Sequence, residues 1–304
     1  MENYLAEIAD SNKPLVVSKL AELSALSPDE LRLFLDAWAK MDAERRREIA
    51  GHLVELAEEN VLLDFDDIFA ACLDDADEPV RLRCIDGLWE CESRSLIDRF
   101  INLLKQDEKQ AVRAAAATAL GRYVLLAELG KLRSHDATKV ERTLLDTIAD
   151  STEVVEVVRR AIEAIAPRTH PEVKEIIRRA YDSENGRMRA SAVYAMGMNC
   201  DLMWLPTLLS ELSSGDAEMR YEAARACGEL GQEEAVSLLA KLVRDLDGQV
   251  CLSAIEALGK IGGNEAEQLL QECLSFADEH IRDAAEEALE ELSFARDPLS
   301  FEIT

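Results

Sequence analysis

The clearest pattern in this chain is a set of apolar positions that recurs every 31 residues. Five segments align without gaps: Val157–Ile165 (VVRRAIEAI), Met188–Gly197 (MRASAVYAMG), Met219–Gly228 (MRYEAARACG), Val250–Gly259 (VCLSAIEALG) and Ile281–Leu289 (IRDAAEEAL). Upstream, Val80–Leu88 (VRLRCIDGL) and Val112–Gly121 (VRAAAATALG) carry the same pattern, 32 residues apart. The next step, from Val112 to Val157, is 45 residues, one period plus 14. With the first residue of each segment as position 0, apolar side chains fall at 0, +4, +7, +8 and +11. That spacing places them on one stripe of an α-helix. Positions +4 and +7 are mostly alanine, which lets another helix approach closely.

The ends of these helices are also marked. Asp77, Asp216, Asp247 and Asp278 stand three residues before position 0, where a carboxylate can cap free N–H groups. Glycine at +9 (Gly121, Gly197, Gly228, Gly259) or +12 (Gly231, Gly262) suits a helix C-terminus. A second amphipathic helix precedes each pattern helix, as in Leu202–Leu212, Glu233–Val243 and Glu265–Phe276, and Pro171 fits a first helical turn. Each unit is therefore helix–turn–helix. One unit cannot bury its stripe alone, so units must stack.

The string D-x-x-V-R-x-x-A-x-x-A-L-G, as in Asp77–Leu88 and Asp216–Gly228, resembles the HEAT-like repeat of the phycobilin-lyase type. The ankyrin T-P-L-H-x-A and the TPR W…L-G…Y signatures are absent. The resemblance implies an all-α fold, an α-solenoid wound as a right-handed superhelix with the pattern helices on its concave face. Residues 62–294 form the array of seven units, with the 14-residue excess at 124–137 prolonging a helix and lengthening one connection. Residues 1–61 read as a helical cap with one degenerate repeat, in which Ser27 caps a helix that starts at Pro28 and Ala50 and Leu53 take repeat positions. Residues 295–304 form a tail, with Pro298–Thr304 non-helical and packed over the end of the stack. Arginine recurs at +1 (Arg81, Arg113, Arg189, Arg220, Arg282), and such regularity points to a bond with a neighbouring turn aspartate. Val158 and Cys251 replace it in two units, with Arg159 one residue late, so an Asp–Arg ladder should break or rearrange there.

Composition narrows the function. Apolar residues make up 48% of the 304 positions and aromatics only 5%, a mix that suits close-packed helices and disfavours β-sandwiches. The net charge of −27 would repel nucleic acid and an anionic membrane surface, and it favours a basic protein or peptide partner. Seven irregularly spaced cysteines without a C-x-x-C fit reduced thiols in the cytoplasm. Neither a signal peptide nor a membrane-spanning run is expected. Nothing determines the oligomeric state, and a monomer is the expectation.

A search for chemistry points away from an enzyme. None of His52, His135, His170 and His280 is followed by Glu, whereas the di-iron hydroxylases on this architecture use His-Glu dipeptides. The acidic stretch Asp64–Asp67 and Asp74–Asp77 lacks EF-hand spacing and its glycine, so capping is the expectation and no metal or cofactor is assigned. Cys84 and Cys227 fall on the stripe and should be buried, Cys251 is the expected exposed thiol, and Arg45–Arg47 should be a solvated face. Opposite the stripe lie +2, +6 and +9. There Tyr194, Tyr221, Arg225, Leu252 and Glu256 adjoin across three units, and Tyr and Arg dominate interface hot spots. These five are the candidate partner-binding residues of a non-catalytic scaffold. The alternative is a bilin-lyase-like factor that handles a tetrapyrrole or a chromoprotein.

Overall fold

The computed structural model describes residues 1–296, so the expectation for Pro298–Thr304 lies outside the described residues. Every regular element among the described residues is helical. The first compact unit, Met1–Ala164, contains α1 (Glu2–Ile8), a 3₁₀ segment (Val17–Leu23), α2 (Pro28–Trp38), α3 (Ala43–Glu59), α4 (Asp66–Cys72), α5 (Glu78–Gly87), α6 (Leu96–Gln106), α7 (Gln110–Glu128), α8 (Ser134–Ala149) and α9 (Val155–Ile165), at whose end the unit closes. The second contains α10 (Pro171–Tyr181), α11 (Gly186–Asn199), α12 (Leu205–Glu211), α13 (Ala217–Leu230), α14 (Val236–Leu242), α15 (Gly248–Ile261), α16 (Gly263–Cys273) and α17 (Glu279–Arg296). Stacked helical hairpins of this kind make the fold an α-solenoid.

The pattern helices are α5, α7, α9, α11, α13, α15 and α17. Their stripe residues form the core: Val112, Ala116 and Leu120 of α7 and Ala254 and Leu258 of α15 are completely buried. The turn aspartates cap as the spacing implies. Asp77 Oδ1 accepts from Val80 N–H, Asp216 Oδ1 from Glu218 N–H and Asp247 Oδ1 from Gln249 N–H. Ser27 and Glu30 form a reciprocal capping box at the start of α2.

The glycines divide into two kinds, which corrects one sequence reading. Gly231 and Gly262 do end helices, with φ of 63° and 68°. Gly121, Gly197, Gly228 and Gly259 instead lie inside α7, α11, α13 and α15. Each faces the +7 alanine of the next pattern helix. A Cβ on Gly197 would stand 2.7 Å from Ala226 Cα, and one on Gly228 would stand 2.9 Å from Ala257 Cα. Glycine is needed there for close helix approach.

Three of the five arginines at +1, Arg81, Arg113 and Arg220, form ladder rungs with two kinds of contact, whereas among the described residues Arg189 and Arg282 make only the first kind. The first is to a carbonyl of the arginine's own turn: Arg81 Nη1 donates to Asp75 O (2.8 Å), Arg113 Nη1 to Asp107 O (2.9 Å) and Arg220 Nη1 to Ser214 O (2.9 Å). The other is to a carboxylate in the next turn. Arg81 reaches Asp107 (2.9 Å), Arg113 grips Glu153 through two bonds (2.8 and 2.9 Å), and Arg220 grips Asp245 through two bonds of 2.7 Å. In the unit with Cys251 the thiol takes over the carbonyl, donating to Asp245 O at 3.2 Å, and Phe276 rather than a carboxylate stands five residues before the next position 0. There Arg244 stacks on Phe276 instead, 5.2 Å from the ring centroid. On α9, Arg159 pairs with Glu156 and Glu163.

The reading of Arg45–Arg47 as a solvated face holds for Arg47, which is exposed, and is corrected for Arg45 and Arg46. Arg45 is buried and donates from Nη2 to Asp10 O (2.9 Å) and Lys13 O, holding the N-terminal segment down. Arg46 donates to Met41 O (2.7 Å) and Asp75 (3.2 Å), and Arg47 clasps Asp77. A charged side chain in such a place needs its partners within reach.

The ladder carries a pH prediction. Hydrogen bonds from Arg220 hold the Asp245 carboxyl below its ordinary range, and those from Arg113 do the same for Glu153. A carboxylate with a folded pKa below its unfolded value stabilises fully above about pH 4 and loses that contribution as pH falls through the folded pKa. Acidification also relieves the repulsion of a strongly negative chain, so the informative quantity is a difference between variants. Between about pH 6 and about pH 3 the native protein should lose more of its urea midpoint than Arg220→Met does. Equal losses would show that this rung does not couple to protonation.

Candidate functional site

The second unit carries the five residues singled out in the sequence. Close approach at Gly197 and Gly228 sets α11, α13 and α15 side by side, so their +2 and +6 rows become neighbours. Arg225, at +6 of α13, lays its guanidinium 4.8 Å from the centroid of the Tyr194 ring on α11. Arg225 and Glu256 are exposed, whereas Tyr194, Tyr221 and Leu252 are half-buried. Tyr221 O accepts from Ser253 Oγ at 3.1 Å, which ties α13 to α15 directly beneath the patch. The structure thus joins Tyr194 to Arg225 across two helices. Glu256 forms no ion pair with Arg225 among the described residues. Position +9 is not part of this face, because its glycines are buried between helices.

The first unit holds a feature the sequence reading missed. A concavity of about 680 Å³ opens beside α5 and α7. Its floor is the alanine run of α7, including Ala114, Ala115 and Ala119, whose short side chains leave the space unfilled. Phe100 and Tyr123 form the deep wall, and Tyr123 is fixed by donation from its hydroxyl to Ser93 O at 2.9 Å. At the mouth Trp89 is 61% exposed, with the Arg122 guanidinium 5.8 Å from its ring centroid. Arg160, also on the wall, is neutralised by Glu163 (2.7 Å) and Glu156 (3.3 Å). Arg122 makes no ion pair among the described residues. An apolar surface with one unneutralised cation beside an exposed indole can hold a flat or aliphatic group. The signal was an indole placed in a turn and two small residues at Ala114 and Thr118, the +2 and +6 positions of that repeat.

Other candidate chemistry is absorbed by structure. Asp75 accepts from Trp38 Nε1 (2.8 Å) and from Arg46, while Asp64 and Asp77 cap backbone N–H groups. Among the described residues no three His, Cys, Asp or Glu side chains are grouped as a metal site. Cys251 is only 3% exposed, so the exposed thiol is not there; Cys200 is the exposed one. The Arg slot that Cys251 occupies is itself an interior slot, which is the reason. Burial pushes the Cys227 thiol up to about 12 and that of Cys91 up to about 11, so both stay protonated near neutral pH. No helix among the described residues is long and apolar enough to cross a membrane.

HEAT repeats match residues 66–151 and 205–290, more than half of the chain. The protein belongs to the HEAT-repeat family. HEAT-repeat chains share a scaffold architecture, and this one supplies that scaffold. No curated protein matches it in sequence. Among solved structures, the complex of CpcE and CpcF of phycocyanin lyase from a Nostoc species is 19% identical, with a TM-score of 0.53 over 93% of this chain and 97% of that one. Escherichia coli YibA is 18% identical, with a TM-score of 0.45 over 83% and 98%. Human deoxyhypusine hydroxylase is 19% identical, with a TM-score of 0.38 over 91% and 96%. At these identities the likeness is one of fold.

Proposed function

We propose that this HEAT-repeat scaffold is a non-catalytic cytoplasmic adaptor that holds a basic peptide or protein on the exposed, acidic face of its pattern helices. The observation that carries this reading is the exposed Arg225 stacked on Tyr194, flanked by Tyr221, Leu252 and Glu256. Aromatic and arginine side chains supply most of the energy of protein interfaces, and a cation–π pair holds them in place before a partner arrives. A net charge of −27 draws a basic partner by a long-range attraction that salt screens. Affinity capture from source lysate at low and moderate ionic strength tests the charge argument. The expected result is a basic protein retained at low salt and released as salt rises. Retention that is indifferent to salt would count against an acidic docking face.

A second reading rests on the Trp89–Arg122 concavity. Its volume lies within the range of small-molecule sites, and the phycocyanin lyase complex shares the fold. In this reading the first unit handles a tetrapyrrole or a chromoprotein, with an acidic group of the ligand on Arg122. A coloured protein on purification from source cells would favour it over the adaptor.

A further inference from the structure

We infer that Ser214 is a phosphorylation site whose phosphate completes the one rung of the arginine ladder, among those with a following repeat, that has its arginine but no anion. The inference comes from comparing repeats. Asp107 and Asp245 stand five residues before position 0 and Glu153 stands four before it; they receive Arg81, Arg220 and Arg113 respectively. Where the arginine is missing from a repeat, the residue five before the next position 0 is not an anion, although in one of the two cases Glu184 stands four before it. Ser183 follows the repeat with Val158 at +1, and Phe276 follows the repeat with Cys251. Arg189 breaks this correspondence. It is present, and the residue in the anion's place is Ser214.

The local geometry supports the equivalence. Ser214 Oγ accepts from Asp216 N–H (3.4 Å), as Asp245 Oδ1 accepts from Asp247 N–H (2.9 Å). Ser214 O accepts from Arg220 Nη1, just as Asp245 O accepts from the Cys251 thiol. The two turns therefore differ chiefly in what stands at the end of one side chain. Arg189 Nη1 is used on its own turn, on Ser183 O (3.1 Å) and Glu184 O (3.2 Å). Its Nε and Nη2 have no hydrogen-bond partner among the described residues. A phosphate carries nearly two negative charges and three acceptor oxygens, which suits two free guanidinium donors.

The turn also suits the enzyme that would modify it. It lies between helices α12 and α13, Ser213 and Gly215 beside it are exposed, and Asp216 and Glu218 follow closely. Both carboxylates stand on the C-terminal side of Ser214, two and four residues after it. The kinase transfers the terminal phosphoryl group of a nucleoside triphosphate to Ser214 Oγ. The bond to the nucleoside diphosphate breaks, and the hydroxyl proton leaves to the kinase's base. The new contact would bind α11 to α13, the two helices that carry Tyr194 and Arg225.

The full-length chain, treated with an acid-directed serine kinase and Mg-ATP, tests this. Tandem mass spectrometry should place a phosphate on Ser214 and find none there in Ser214→Ala. The melting temperature of the phosphorylated chain should rise by about 2–4 °C, a shift that an Arg189→Gln background abolishes. Ser214→Asp should show a smaller rise with the same dependence on Arg189, and it needs no kinase. Failure to incorporate phosphate at Ser214 would overturn the inference. So would a thermal gain that survives Arg189→Gln, or no gain from either anion.

Discussion

Replacing Asp107 with alanine should destabilise the first unit by about 3–5 kcal/mol, the range for removing one partner of a buried ion pair. Arg81 and Asp107 are only 8% and 7% exposed, and they meet through two contacts of 2.8 and 2.9 Å. Removing the carboxylate leaves a guanidinium that water reaches poorly and that cannot deprotonate. Arg81 would keep only its bond to Asp75 O. The size of the loss comes chiefly from the stranded charge, and the pair itself adds little to stability over an apolar substitute. It follows that Arg81→Met combined with Asp107→Leu should recover most of the loss. Urea denaturation followed by circular dichroism reads both variants. A loss under about 1 kcal/mol for Asp107→Ala, the range of a surface pair, would show that the rung is solvated.

The second large effect is a reversal of sign between two identical substitutions. Gly51→Ala should stabilise by about 0.5–1 kcal/mol, because Gly51 lies inside α3 with nothing within 4 Å of an added Cβ. Gly197→Ala is also a change inside a helix, yet it should destabilise by about 1–3 kcal/mol. Its Cβ would stand 2.7 Å from Ala226 Cα and 2.8 Å from Ala226 Cβ. Backbone atoms cannot swing aside, so α11 and α13 must separate and their stripe must loosen. Matched thermal and chemical melts of the two variants decide the matter. A stabilising Gly197→Ala would mean that this glycine serves only as a helix-ending signal.

That glycine shows where sequence reasoning reached its limit. A C-cap and a close helix contact both require a missing Cβ, and the string M-G or C-G near a helix end does not distinguish them. Gly231 and Gly262 were legible because a second glycine, three residues later, falls past the stripe. The repeat and its caps were legible because one period controls both burial and hydrogen bonding. Arg45 and Arg46 were not, since their partners are backbone carbonyls of distant or irregular segments, such as Asp10 and Met41. Cys251 looked exposed because it replaces an arginine, but the arginine slot is an interior one. The concavity in the first unit was illegible for a simpler reason. It is made by what the Ala114–Ala119 stretch lacks, and only Trp89 and the small residues at Ala114 and Thr118 advertised it.

The five residues on α11, α13 and α15 bear the central claim, and one titration tests it. The partner retained by the native chain is titrated against native protein and against a Tyr221→Ala, Arg225→Ala double variant, with circular dichroism confirming that both are folded. Two truncated hot-spot residues should weaken affinity by about tenfold or more, since about 1.4 kcal/mol is a factor of ten. Unchanged affinity in a folded double variant would contradict the account and remove this face as the docking site.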